Sequence, residues 1–329
     1  MQLSKCRIAA VSAIALAGSL LMMNIAVAQN WPSKPVTIIV PLPPGGPVDA
    51  VAREFAKHLY ATIKQPVVVE NIAGAYGQIG LSHLNRASAD GYTIGIAASG
   101  MMVFTPLIER KLPYDTIKGF TPISLVSEYA NVLVAHPSIP ANTITELVAY
   151  AKANPGKVSY ASSGFGSSNH LSGELLKQQT GASLLHVPYK GTAPGRSDVI
   201  AGHVSIMFDV VSSSMPFIES DKLKALATTG KSRNPVLPNV PSVAETLPGY
   251  EVTGWFALFA PPGLPDSVLT PLQDAVQKSL KTPAFTDFLS RTGYEPATST
   301  ADALETRIRN DLDYWAPVVK RAEVTANSK

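Results

Sequence analysis

Cysteine is all but missing from this sequence. Of 329 residues only Cys6 carries a thiol, and it lies upstream of an apolar run rather than at its end, which excludes a lipid-anchored cysteine there. The remainder can build neither a disulfide framework nor a thiolate centre, so the fold must rest on its core. An excess of one charge is missing too. The 27 Lys and Arg nearly balance 24 Asp and Glu, and no basic run of the kind that tracks a nucleic-acid backbone occurs. The histidines (His58, His83, His136, His170, His186, His203) are scattered without ligand spacing, so no metal is expected. G-x-S-x-G, H-E-x-x-H, S-x-x-K with its companions, the Walker pattern and a dinucleotide G-x-G-x-x-G with its acidic partner are all absent. No catalytic residue, no cofactor and no nucleic acid are expected.

The N-terminus sets the compartment. Lys5 and Arg7 form a basic region, residues 8–23 are almost unbroken apolar, and Ala26-Val27-Ala28 supplies small residues for a signal peptidase. A signal peptide over 1–28, cleaved after Ala28, is expected, and with it export to the periplasm. A lone membrane anchor is the competing reading, but no basic stop-transfer flank follows. Beyond Ala28 no apolar stretch is long enough to span a bilayer, and a soluble monomer is expected.

What the chain does contain is alternation. Apolar runs at 36–42, 67–72 and 92–98 read as strands, and amphipathic patterns at 49–63 and 77–87 as the helices between them. Such spacing implies right-handed crossovers and a mainly parallel sheet. Extended segments are expected at 123–126 and 131–135. A second set follows, with strands at 157–163, 184–189, 204–208 and 223–228 and helices at 143–153, 168–179, 193–201 and 213–219. One strand at 255–260 and helices at 267–280, capped by Asp266, and 301–321 make a poor third unit. They are read as completing the first. The expected fold class is therefore α/β with two lobes: domain I from 29–130 and 251–329, domain II from 131–250, two crossovers as a hinge and a cleft between.

Two loops carry the chemistry. The first, with Leu42, Gly45, Gly46, Val48 and Asp49, runs from the first strand into a helix N-terminus, where first-turn N–H groups have no internal partner and attract an anion. The second, with Ser162, Ser163, Gly164, Phe165, Gly166, Ser167, Ser168 and His170, repeats the strand, glycine turn and helix order and adds serine hydroxyls. Either alone is equally read as an ordinary tight β-α turn. Together, one per lobe at the carboxyl ends of their strands, they suggest an anion site facing across the cleft. Gly74, Gly77 and Gly80 read first as close packing of helix on strand, with Tyr76 at the tip able to reach the cleft. His170 serves as a supporting histidine or a ligand contact. Asp209 either satisfies local donors or accepts from a ligand amine or hydroxyl.

The chain resembles a known family in Trp31-Pro32-Ser33-Lys34-Pro35, Ile39-Val40-Pro41, Gly45-Gly46 with Asp49, Val69-Glu70-Asn71 and Asp90-Gly91-Tyr92-Thr93. Leu112-Pro113-Tyr114-Asp115, Tyr160-Ala161-Ser162-Ser163-Gly164, Val187-Pro188-Tyr189-Lys190-Gly191, Leu226-Ala227-Thr228, Pro241-Ser242-Val243-Ala244-Glu245 and Ala260-Pro261-Pro262-Gly263 extend the likeness. It is similar to the Bug receptors, the substrate-binding components of tripartite tricarboxylate transporters. The resemblance implies a type II-like Venus-flytrap periplasmic binding protein that holds a small carboxylate through 42–49 and 162–168 and delivers it to membrane permease subunits. Some relatives serve a sensor kinase instead. Val48 stands where the family usually has a hydroxyl residue. With Leu42 and Phe165 it implies a less polar pocket, suited to an aromatic or aliphatic acid rather than to citrate. A secreted α/β hydrolase is the remaining alternative, and it lacks an activated nucleophile.

Overall fold

A computed structural model describes residues 31–109 and 111–326; the expected leader, Cys6 included, lies outside them. The chain opens with β1 (Val36–Val40), α1 (Pro47–Ile63), β2 (Val67–Asn71), α2 (Gln78–Arg86) and β3 (Thr93–Ala98). β1 lies between β2 and β3 and is parallel to both, which is why it reads as a continuous apolar run: helices cover both of its faces. α1 begins at Pro47 rather than Asp49. Its N1 proline needs no hydrogen-bond acceptor there and already has the helical φ. A π turn (Gly100–Phe104) then runs into α3 (Thr105–Ile108).

The strand β4 (Thr121–Ala135) joins two groups of strands. Two separate extended segments, at 123–126 and 131–135, are expected from the sequence, with polar Ser127 and Glu128 between them. In the structure the strand is unbroken and instead changes partners. Thr121 to Ala130 pair antiparallel with β9 (Thr253–Ala260), across two bulges, and three of these residues also pair with β10 (Tyr294–Pro296). Asn131–Ala135 pair with β7 (Ile206–Val210), and β8 (Lys224–Thr228) pairs on the other side. The full order is β2-β1-β3-β9-β4-β7-β5-β6, where β5 is Val158–Ser162 and β6 is Leu184–Pro188. The sheet is thus mixed rather than mainly parallel. β9 arrives through a return that holds only a short 3-10 turn (Val243–Glu245) rather than an α-helical crossover, and enters between β3 and β4 in the opposite sense.

The helices of the second group are α4 (Ile144–Ala153), α5 (Ser168–Thr180), α6 (Thr192–Ile200) and α7 (Val211–Glu219); α8 (Asp266–Leu280), α9 (Pro283–Arg291) and α10 (Ala301–Ala326) follow β9. Thr143 caps α4 as expected, accepting from the Glu146 amide at 3.2 Å. Asp266 does not cap α8. Pro265 holds that position without a side-chain bond, and Asp266 lies in the first turn. Where the strand groups meet, the Asn131 amide donates to Thr229 Oγ1 and the Thr229 amide to the Asn131 carbonyl, each at 2.9 Å. One core runs through both groups, with Phe104 edge-on to Trp315 at 5.0 Å and the Tyr250 hydroxyl donating to the Ser172 carbonyl at 2.8 Å. Among the described residues no helix is long and apolar enough to cross a membrane.

Candidate functional site

Three helices begin around one space. The loop into α1 turns at Gly45, whose φ of 82° lies in the left-handed region that glycine enters without strain. Asp49 holds it: its buried carboxylate accepts from the Gly45 amide at 2.9 Å, from Arg53 Nε at 3.0 Å and from Asn71 Nδ2 at 2.9 Å. Burial works to raise the pKa of this acid, and the three donors outweigh burial and keep it below its ordinary value. With Asp49 facing inward and Pro47 lacking an N–H, the backbone donors of Val48 and Asp49 are the groups left for a ligand.

The loop into α5 has its own lock. Ser167 caps the helix, accepting from the His170 amide at 3.2 Å and donating to the Gly164 carbonyl at 2.7 Å. Ser162 Oγ accepts from the Gly164 amide at 3.1 Å and meets His186 Nε2 at 2.6 Å. The Gly166 amide donates to His170 Nδ1 at 3.3 Å, which requires that nitrogen to be unprotonated. His170 lies flat on His186, which lies flat on Tyr160, and Phe165 stands edge-on against both imidazoles. Burial pushes His170 down to about 4 and, with His170 beside it, His186 down to about 3.

The third start belongs to α6. Its N-cap, Gly191, has a φ of 113° and follows Lys190 directly. These starts border an inner chamber with a water-accessible volume of about 70 Å³, with Tyr129 and Phe256 contributing aromatic walls. A larger chamber of about 610 Å³ adjoins it; lined by Gln78, Glu109, Gly164 and Phe165 rather than by Val48, Ser168, Asn169 and Thr192, it lies beyond the helix starts as an outer chamber. Burial raises the phenols of Tyr76 and Tyr129, so both remain neutral donors; Ser163 acts on the first and Ser168 on the second in the opposite direction.

Not every residue expected at the site lines this space. Leu42, Gly46, Val48, Tyr76, Ser163 and Ser168 face the inner chamber. Gly164 and Phe165 line the outer one, and Phe165 is 51% exposed. Gly45, Asp49, Ser162, Gly166, Ser167 and His170 stand behind the lining and shape it through the bonds just described. Asp209 stands apart: fully buried, it accepts from Arg196 Nη1 at 2.9 Å, Ser214 Oγ at 2.8 Å and the Val210 amide at 2.9 Å. Gly80 has a packing role, since a Cβ there would lie 2.6 Å from the Ile72 carbonyl oxygen.

Sequence reasoning passed over Tyr129, Asn169, Lys190, Thr192 and Phe256. The Lys190-Gly191 turn had a usable signal, because it repeats the order of strand, glycine and helix seen in the other two loops. Tyr129 and Phe256 gave none. Tyr129 follows the polar pair Ser127 and Glu128 and Phe256 sits in an apolar strand, and at neither does the local pattern tell a cavity-facing ring from a core ring.

Comparison with known proteins places the chain in company. Residues 51–324 match the model of the tripartite tricarboxylate transporter family receptor. The "UPF0065 protein in tcbD-tcbE intergenic region" of Pseudomonas sp. (strain P51) is 38% identical over 299 residues, 90% of this chain and 89% of that one. Among solved structures, Rpa4515 of R. palustris with adipate is 34% identical, with a TM-score of 0.86 over 89% of this chain and 98% of that one. MatC (Rpa3494) from Rhodopseudomonas palustris with bound malate is 30% identical, with a TM-score of 0.83 over 88% of this chain and 100% of that one.

Proposed function

The chain belongs to the tripartite tricarboxylate transporter receptor family, whose members are periplasmic solute-binding proteins, and from that premise we propose that it captures a small carboxylate in the inner chamber. The observation that carries this reading is the convergence of the α1, α5 and α6 starts on one cavity. Each start presents backbone N–H groups with no acceptor inside its helix, and each brings the positive end of a helix dipole. The carboxylate is held by the amides of Val48, Asp49, Ser168, Asn169 and Thr192, with the hydroxyls of Ser168, Tyr76 and Tyr129 as further donors, while the Ser163 hydroxyl donates to Asn169 Oδ1. Adipate and malate in the two relatives support this ligand class.

The apolar share of the lining, from Leu42, Val48, Phe256 and the prolines of the first loop, favours an aliphatic or aromatic body over a citrate-like one. The residues that line the cavity offer donors and one cation but no base held against a nucleophile, which fits binding rather than turnover. In this reading 29–130 and 251–329 form one lobe and 131–250 the other, closing about the Asn131–Thr229 junction, and the loaded monomer hands its solute to membrane permease subunits. The leader is removed after Ala28.

Thermal unfolding of the mature protein against a panel of mono-, di- and tricarboxylates, aromatic acids and acidic amino acids tests the proposal. A ligand at about a hundred times its dissociation constant adds about 2.7 kcal/mol of stability and raises Tm accordingly. A panel that moves nothing overturns it. Turnover of a bound acid, followed over time, would overturn the non-enzymatic part.

A further inference from the structure

The inner and outer chambers share a boundary, and Lys190 lies on it. Among the described residues it is the one charged side chain that lines the inner chamber, and it lines the outer one as well. Glu109, directly after α3, lines only the outer chamber. Moving outward from the helix starts, a ligand therefore meets a cation first and an anion second. Both side chains are exposed, and among the described residues no ion pair engages either. That sets them apart from the other charges near the site. Asp49 is bound to Arg53 and Asp209 to Arg196, so their charges are already compensated within the protein.

A carboxylate seated at the helix starts leaves the far end of its ligand pointing along this axis. We propose that Lys190 and Glu109 act together as a filter of charge and length: Lys190 takes a second acidic group, and Glu109 repels one carried further out. The filter rests on the carboxylate-binding reading above and adds a rule to it. An unbranched diacid gains over a monoacid of equal length when its far carboxylate stops at Lys190. A longer diacid loses that gain, and an ω-amino acid of that greater length does not, because its ammonium group meets Glu109 with the opposite sign.

Calorimetric titration of the mature protein with α,ω-diacids from malonate to azelate, monoacids of equal length and ω-amino acids tests the rule. The wild type is expected to favour the diacid by about five- to tenfold at one length and to lose the preference beyond it. Lys190→Met should abolish the preference by weakening diacids by a larger factor than monoacids, and Lys190→Arg should retain it. Glu109→Gln should restore the longer diacids and weaken the longer ω-amino acids. The filter is overturned if Lys190→Met weakens monoacids and diacids by the same factor, or if Glu109→Gln leaves the length profile as it was. Should the wild type bind no acid of any kind, the carboxylate reading falls and the filter with it.

Discussion

The imidazole of His170 lies against that of His186 with 4.3 Å between ring centroids and 26° between their planes. Two rings this close, His170 buried and His186 half-buried against Phe165, cannot each carry a proton without mutual repulsion and a large loss of hydration. The loop over them depends on their neutrality, because the Gly166 amide donates to His170 Nδ1.

Acid should therefore destabilise the protein in a defined window. An unfolded histidine titrates near about 6.5, whereas the folded values lie at about 4 for His170 and about 3 for His186. Between these limits the unfolded chain binds protons that the folded chain refuses, so stability is complete above the unfolded value and is lost as the pH falls toward the folded ones. His186→Gln should flatten the decline in Tm between about pH 7 and about pH 4.5. An unchanged slope would show that the pair is not its source.

Asp209→Ala should be among the most damaging single changes. It strips the partner from Arg196, whose side chain is only 13% exposed, and an uncompensated buried charge costs about 3–5 kcal/mol. Because Arg196 lies on α6, ligand affinity should fall along with the urea midpoint. A loss smaller than about 1 kcal/mol would mean that water reaches the guanidinium.

Gly254→Ala should act on the chamber from beneath. A Cβ there would lie 2.4 Å from Tyr129 Cζ, so the phenol must move toward the space it lines. The expected cost is about 1–3 kcal/mol of stability together with weaker ligand binding. Gly46→Val is the contrasting variant. At Gly46 the nearest atom to a Cβ is the Pro43 carbonyl oxygen at 3.9 Å and φ is −89°, so binding should drop while Tm of the free protein holds. Equal binding by both variants and the wild type would place the ligand elsewhere.

Ser167→Ala removes a cap and should cost about 1 kcal/mol. The same hydroxyl also fixes the Gly164 carbonyl, so the turn should loosen and the off-rate of a bound acid should rise. Ser167→Asp, which can still accept from the His170 amide, should recover most of the stability; calorimetry of the three proteins decides.

The legible part of this molecule was its periodic part. Val51, Phe55 and Leu59 recur on one face of α1, so the helix could be drawn from the sequence, with only its proline start displaced. The glycine turns before α1 and α5 were likewise visible, because positive φ selects glycine. What escaped depends on partners distant in sequence. Nothing near Ser127 shows that β4 goes on by exchanging β9 for β7, and nothing near Tyr129 shows that Gly254 makes room for its ring. Asp209 and His170 drew attention as polar residues beside apolar strands and loops. Their partners, Arg196 and His186, lie 13 and 16 residues away in sequence and were not paired with them by any local pattern.

The unbroken course of β4 limits how this protein can be dissected. A fragment spanning 131–250 would begin in the middle of a hydrogen-bonded ladder, severed from its continuation beside β9. The raw strand ends so created would seek replacement edges in other copies. Deletion work on either half should therefore yield aggregates, and studies of motion between the halves are better made by labelling the intact chain.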